Sequence, residues 1–429
     1  MASTSGPAST SGPASTSGPA STSGPERASG PAPVGGTGRA GWHRRVAVLP
    51  IAYLVGLVVL AFGHPFLPGW RWLAIHLLLL GAATNAILVW SAHFTVAVLR
   101  APAPVRRVGE SVRLAVLNLG VVAVLAGGTA GLPWVGVAGA ALVCGAVGAH
   151  LGWLAARLRT ALPARFRITV RYYLAAALAL LVGVPVGAWM LVDGSARPRL
   201  ILFHAHVNLL GWVTLTVLGT LLTLWPTVLR TRMAGDAVAA ATRALPAATI
   251  GLVLLGAGLL AWWPVLTGAG LALFAAAVLG ALRPAVAVVR TKAPGSFAGA
   301  SIAAAGGWLV VALAVDGWIL ATARGPDSAA GRFGAVLVPL LVGFVAQVLI
   351  GALSYLLPMA LGGGPARLRH RMAVLDRHWP RRVAMANTAL VVFALPSPPY
   401  VRITTSLLIL AALAQFVVPA VRILLTARR

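Results

Sequence analysis

FHAHVNLLGWVTLTVLGTLLTLWPTVLRTR, residues Phe203 to Arg232, is an apolar run long enough to cross a bilayer, which takes about 20 residues of helix. It carries His204, His206 and Asn208 near its start, side chains that hydrocarbon penalises unless they are paired, coordinated or turned to a cavity. Gly211, Gly219 and Pro226 follow at intervals of eight and seven. The same intervals recur at Gly343, Gly351 and Pro358, and in weaker form around Gly81.

The surrounding chain has the same character. Of 429 residues, 59% are hydrophobic and 10% charged, far from the composition of a soluble domain. This is the composition of an all-α, polytopic membrane bundle. The net charge of +27 comes from 34 basic against 7 acidic residues. The basic residues fall almost entirely between apolar runs, so they read as loops beside anionic lipid and not as a nucleic-acid surface. The single cysteine, Cys144, excludes an internal disulfide and any cysteine-built cluster.

Residues 1–38 repeat the hexad ASTSGP and continue through PAPVGGTGRAG. With no apolar side chain larger than proline or alanine between Met1 and Val34, this stretch is expected to be a disordered tail. It has no short apolar core with a cleavage site, so it does not read as a secretory signal. The membrane domain is then 39–429. Apolar segments follow at about 45–63, 71–98, 112–130, 132–156, 168–192, 200–226, 244–263, 266–288, 298–322, 333–359, 383–397 and 403–425. That is twelve crossings, with the eleventh cut short by Pro396, Pro398 and Pro399.

Twelve crossings place both termini on one side, and the charges test the count. Only Arg71, Arg197, Arg199, Arg324, Arg332 and Arg402 of the 34 basic residues fall on the other side. The positive-inside rule therefore predicts cytoplasmic termini in a plasma membrane. Gly81, Gly211 and Gly343 each sit in the second crossing of a group of four, predicting a pseudo-threefold bundle with repeat units of approximately 45–156, 166–290 and 298–427.

The polar residues inside crossings are few. His76, His204 and His206 fall near the outer end of the second and sixth crossings, and His93 and His150 in the cytoplasmic half. His76 and His206 each precede the repeat glycine by five residues, whereas the third unit has Val338 there. Neutral imidazole is a ligand for heme iron or copper, and it also hydrogen-bonds between helices. The amides Asn85, Asn208 and Gln347 of the second, sixth and tenth crossings are candidates to line a polar path. Asp316 is an outer acid, either proton-handling or merely solvated, and most tryptophans read as an interfacial belt. Walker, HExxH, CxxCH and GxSxG patterns are lacking.

The motifs HxHxNLLGWxxLTxxGTLxxLWPTxLRTR at 204–232 and HLLLLGAATNAILVWSAHF at 76–94 resemble a bacterial membrane region found alone or ahead of copper nitrite reductase or multicopper oxidase domains. More distantly they are similar to NnrS proteins and to the catalytic subunit of heme-copper oxidases. The resemblance implies heme b, copper or both, with His76 and His206 or His204 in ligand-like places. It also implies a bacterial cell membrane and a separate cupredoxin or multicopper oxidase chain as partner. The oxidase pattern further requires adjacent histidines in the seventh crossing and an HxH pair in the tenth. Residues 244–263 and 333–359 contain no histidine, which argues against a binuclear oxygen-reducing centre.

The expected function is that of a heme- or copper-associated membrane protein in respiratory or nitrogen-oxide electron transfer or in metal homeostasis. Two other classes stand beside it: a transporter for a small solute or metal, and a membrane anchor without chemistry.

Overall fold

The computed structural model describes residues 35–102, 107–193 and 198–426. Most of the 1–38 tail lies outside the described residues, and the first helix begins at Gly35, well before the expected residue 45.

Among the described residues, eleven helices are long and apolar enough to cross a membrane. In chain order the bundle consists of α1 (Gly35–Gly63), α2 (Trp70–Val98), α3 (Val108–Ala130), α4 (Pro133–Thr160), α5 (Arg167–Asp193) and α6 (Pro198–Leu229). It continues with α7 (Ala237–Ala261), α8 (Pro264–Thr291), α9 (Phe297–Thr322), α10 (Pro326–Leu361), α11 (Trp379–Ala394) and α12 (Pro399–Thr426). A basic surface helix, Gly364–Asp376, links α10 to α11. The protein is an all-α, multi-pass membrane protein.

The exceptional helix is α11, at 16 residues or about 24 Å. It stops where Leu395 turns extended, because a residue before proline is pushed out of the helical region. Five helices, α4, α6, α8, α10 and α12, open on proline, whose missing N–H costs nothing in the first turn.

Burial separates three helices from the rest. The apolar windows of α6 and α10 are each 72% buried and that of α2 50%, against 28% to 44% for the other long helices. These three also share a backbone feature. Each switches from α- to π-helical hydrogen bonding for about two turns, at Leu77–Ala83, Val207–Thr214 and Pro339–Ala346. The three segments contain Gly81, Gly211 and Gly343. Further along, the same helices end on residues of positive φ at Arg100, Arg230 and Gly362, spaced as the glycines are. A π turn widens the helix locally and leaves carbonyls to be satisfied from elsewhere.

Glycine sets the closeness of two hairpins. A Cβ on Gly120 of α3 would lie 2.7 Å from the Gly139 carbonyl of α4, and one on Gly251 of α7 would lie 2.8 Å from the Gly270 carbonyl of α8. Small residues let backbones touch in this way in lipid. The α3–α4 and α7–α8 connections are also alike: Leu132 N–H donates to the Gly127 carbonyl and Trp263 N–H to that of Gly258.

The tryptophans divide. Trp134 and Trp263 are exposed at helix ends as the belt requires, but Trp90, Trp212 and Trp225 are buried. Those three are packing residues, and the Trp212 indole N–H donates to Thr84 Oγ1, tying α6 to α2 at their π turns.

Candidate functional site

Polar side chains of the inner helices gather into two kinds of cluster. The first kind occurs at the π turns of α2 and α10. Tyr53 of α1 lies across Gly81, where any Cβ would strike its ring, and its hydroxyl donates to Asn118 Oδ1 of α3 at 2.9 Å. Asn118 and Asn85 donate to each other's Oδ1 atoms at 2.8 and 3.2 Å, and Asn85 also donates to the Gly81 carbonyl. At the π turn of α10, Trp308 of α9 lies across Gly343 and its indole N–H donates to Asn387 Oδ1 of α11. Asn387 exchanges hydrogen bonds with Gln347, which donates to the Gly343 carbonyl.

The design is the same both times. An amide four residues after the glycine satisfies the carbonyl that the π turn releases, and a second amide and an aromatic N–H or O–H lock it. Asn85 and Gln347 are thus bound into helix–helix locks, and their amide groups are already engaged. Replacing Asn118 with leucine should cost about 1–3 kcal/mol by stranding Asn85 and Tyr53, read as a lower midpoint of thermal unfolding in detergent. The sixth helix departs: Leu215 stands four residues after Gly211, and Ala179 and Leu252 fill the space against the glycine.

The second cluster lies at one depth on the arginine-poor side. His76 and His204 each fall six residues into their helices, about 9 Å from the end. Their ring centroids are 6.4 Å apart. His76 Nδ1 is 2.8 Å from the Trp72 carbonyl and His204 Nδ1 2.8 Å from the Gly183 carbonyl. A carbonyl only accepts, so both Nδ1 atoms carry the proton. Both rings therefore present a bare Nε2, the tautomer of a metal-ligating histidine held by a backbone acceptor.

Room for this arrangement is cut into α5. A Cβ on Gly187 would come within 2.6 Å of the His204 ring, and one on Gly183 would collide with the Asn208 carboxamide. Asn208, four residues beyond His204, donates to the His204 carbonyl at 2.7 Å, while its buried Oδ1 has no partner. It precedes its glycine by three residues, so it is not the counterpart of Asn85 and Gln347. Gly187→Ala should displace the His204 ring and abolish any ligand held between His204 and His76 while the chain remains folded. Binding and unfolding measured on one preparation check this.

His206 occupies the place in α6 that His76 occupies in α2: Nδ1 of each faces the carbonyl four residues earlier, Leu202 in the case of His206. Its Nε2 is 2.8 Å from Asp316 Oδ2 of α9, and both side chains are buried. Phe333 packs on the ring at 5.0 Å between centroids. With both nitrogens engaged, His206 has no lone pair to offer a metal unless Asp316 lets go. Asp316 is thus a buried partner in the bundle, not a solvated interfacial acid.

His93 and His150 lie toward the arginine-rich side. His150 of α4 meets Ser91 Oγ at 2.9 Å and Trp153, whereas His93 packs against Trp90 and Phe94. Residues 91 and 93 point about 200° apart on α2, so His150 is directed to a different side of that helix from His93.

Among the described residues, no three His, Cys, Asp or Glu side chains come together as a metal-holding group. The chain matches no protein-family model and no curated protein.

Proposed function

We propose that the protein is a copper-binding membrane protein in which His76 and His204 hold a single ion. Its twelve crossings form three four-helix units about the inner helices α2, α6 and α10, with both termini cytoplasmic. The observation that carries this reading is the pair of imidazoles with bare Nε2 atoms and centroids 6.4 Å apart. The two rings are inclined at 29° to one another, and His76 and His204 are the residues that would hold the ion. Imidazole suits copper.

The donor set argues against larger chemistry. A tetrahedral zinc site or a copper centre with three histidines needs a group that the described residues do not form. Heme needs a slot beside its ligands. The large groove on α1, α10, α11 and α12 is lined by His64 and by none of His76, His93, His150, His204 and His206. Copper when bound supplies a one-electron couple or a cargo to pass on. The chain's own residues orient the two rings through the Trp72 and Gly183 carbonyls. The site lies near the face assigned as exterior, where a separate cupredoxin or multicopper oxidase chain would meet it.

Copper titration under reducing conditions tests the proposal. Wild-type protein should bind one ion, and His76→Ala or His204→Ala should weaken binding by more than about a hundredfold, beyond the usual loss for an outer partner. His93→Ala and His150→Ala should leave binding unchanged. Substoichiometric binding by folded wild type, or equal losses in all four variants, would overturn it.

A further inference from the structure

We propose that the groove between α1, α10, α11 and α12 holds an anionic phospholipid, with its phosphate bound by Arg382. The cavity has a volume of ≈ 540 Å³, within the range that accepts a specific small ligand. Leu57, Leu60, Val342, Ile350, Leu410 and Leu413 form much of its wall. Ile403 and Leu407 on its rim are exposed, so in a membrane the groove opens toward acyl chains.

Arg382 gives the groove a charged end. It is 5% exposed, and its guanidinium lies 3.9 Å over the Phe297 ring. Nη1 donates to the Leu375 carbonyl at 2.6 Å and, more weakly, to that of Arg377. Nε and Nη2 are buried without any hydrogen-bond partner. A buried guanidinium stays protonated, and two unmet donors on a cation are costly. The nearby acid, Asp376, accepts the Phe297 N–H through Oδ1 and leaves those donors unmet. Gln347, which also lines the groove, is engaged with Gly343 and Asn387.

The pattern selects one ligand chemistry. A phosphate diester offers two anionic oxygens to an arginine edge, and its acyl chains match the apolar wall. Arg377 and Arg381 beside Arg382 in sequence add attraction for an anion. At the other end the groove reaches Arg402, whose guanidinium is over Phe393 at 5.3 Å and which is exposed.

Native mass spectrometry of the full chain in mild detergent, with added phosphatidylglycerol or phosphatidylcholine, tests this. Wild type should retain one phosphatidylglycerol, preferred by about tenfold or more, because the choline ammonium of the other lipid cancels the charge of the same phosphate diester and meets Arg377, Arg381 and Arg382 with like charge. Arg382→Gln should abolish the preference, and Arg402→Gln should keep it. Ala386→Trp, which fills the groove and leaves Arg382 in place, should remove lipid retention altogether and covers the case in which Arg382→Gln does not fold. Equal retention of the two lipids, undiminished retention by Ala386→Trp, or displacement of the lipid by inorganic phosphate alone would overturn the proposal.

Discussion

Asp316→Ala is expected to destabilise the protein by about 1–3 kcal/mol or more, the cost of leaving the buried His206 Nε2 without its partner. His206 Nδ1 must carry a proton because it faces the Leu202 carbonyl, so one further proton is shared between Nε2 and Asp316 Oδ2. Whether written as imidazolium and carboxylate or as neutral imidazole and acid, the pair has no net charge. Alanine leaves Nε2 buried with nothing to meet it. An asparagine in place of the acid retains a donor for Nε2, so Asp316→Asn should lose only about 1 kcal/mol. The double variant Asp316→Leu with His206→Phe should recover most of the loss, because an apolar pair asks for no partner. Thermal unfolding in detergent measures all three. A destabilisation of Asp316→Asn equal to that of Asp316→Ala would show that the shared hydrogen bond is not what matters.

The second large effect is steric and comes with an internal control. Gly251→Ala in α7 would place a Cβ 2.6 Å from Phe274 N and 2.8 Å from the Gly270 carbonyl, both backbone atoms of α8. Neither can swing aside, so the helices must separate, at about 1–3 kcal/mol or more. A methyl on Gly280 of α8 would meet nothing within 4 Å, and alanine there should stabilise by up to about 1 kcal/mol through helix propensity. Opposite signs in two Gly→Ala changes on one hairpin distinguish close packing from a general effect of glycine. Loss of stability at both positions would contradict the packing account.

Hydropathy makes the long helices legible in the sequence, because in lipid a crossing must be a continuous apolar helix. The intervals around Gly81, Gly211 and Gly343 lead to three places where the backbone itself changes hydrogen bonding. The pairing of amides is hidden. Asn118 and Asn387 read as isolated polar residues because their partners, Asn85 and Gln347, are 33 and 40 residues away on other helices. Each stands in the next bundle helix after its partner's, α3 and α11, and that is the available signal.

The histidines show the same limit. Spacing matches His76 to His206, and both do hold the carbonyl four residues back. Yet the ring that approaches His76 is that of His204, because Asp316 on a distant helix engages His206 and Gly187 opens space for its neighbour. One residue in α9 and one in α5 thus decide which of two nearby histidines has a bare nitrogen. Local sequence around 204–206 contains neither fact. Val338, five residues before Gly343 as His76 and His206 are before their glycines, lines the large groove instead.

X-ray absorption at the copper edge, on protein loaded with one equivalent under reducing conditions, tests the central claim most directly. Two imidazole nitrogens at about 2 Å and no sulfur are predicted, with the signal lost in His204→Ala and retained in His206→Ala reconstituted to a folded state. A spectrum requiring three or more nitrogen ligands, or one unchanged by His204→Ala, would contradict a site made by His76 and His204.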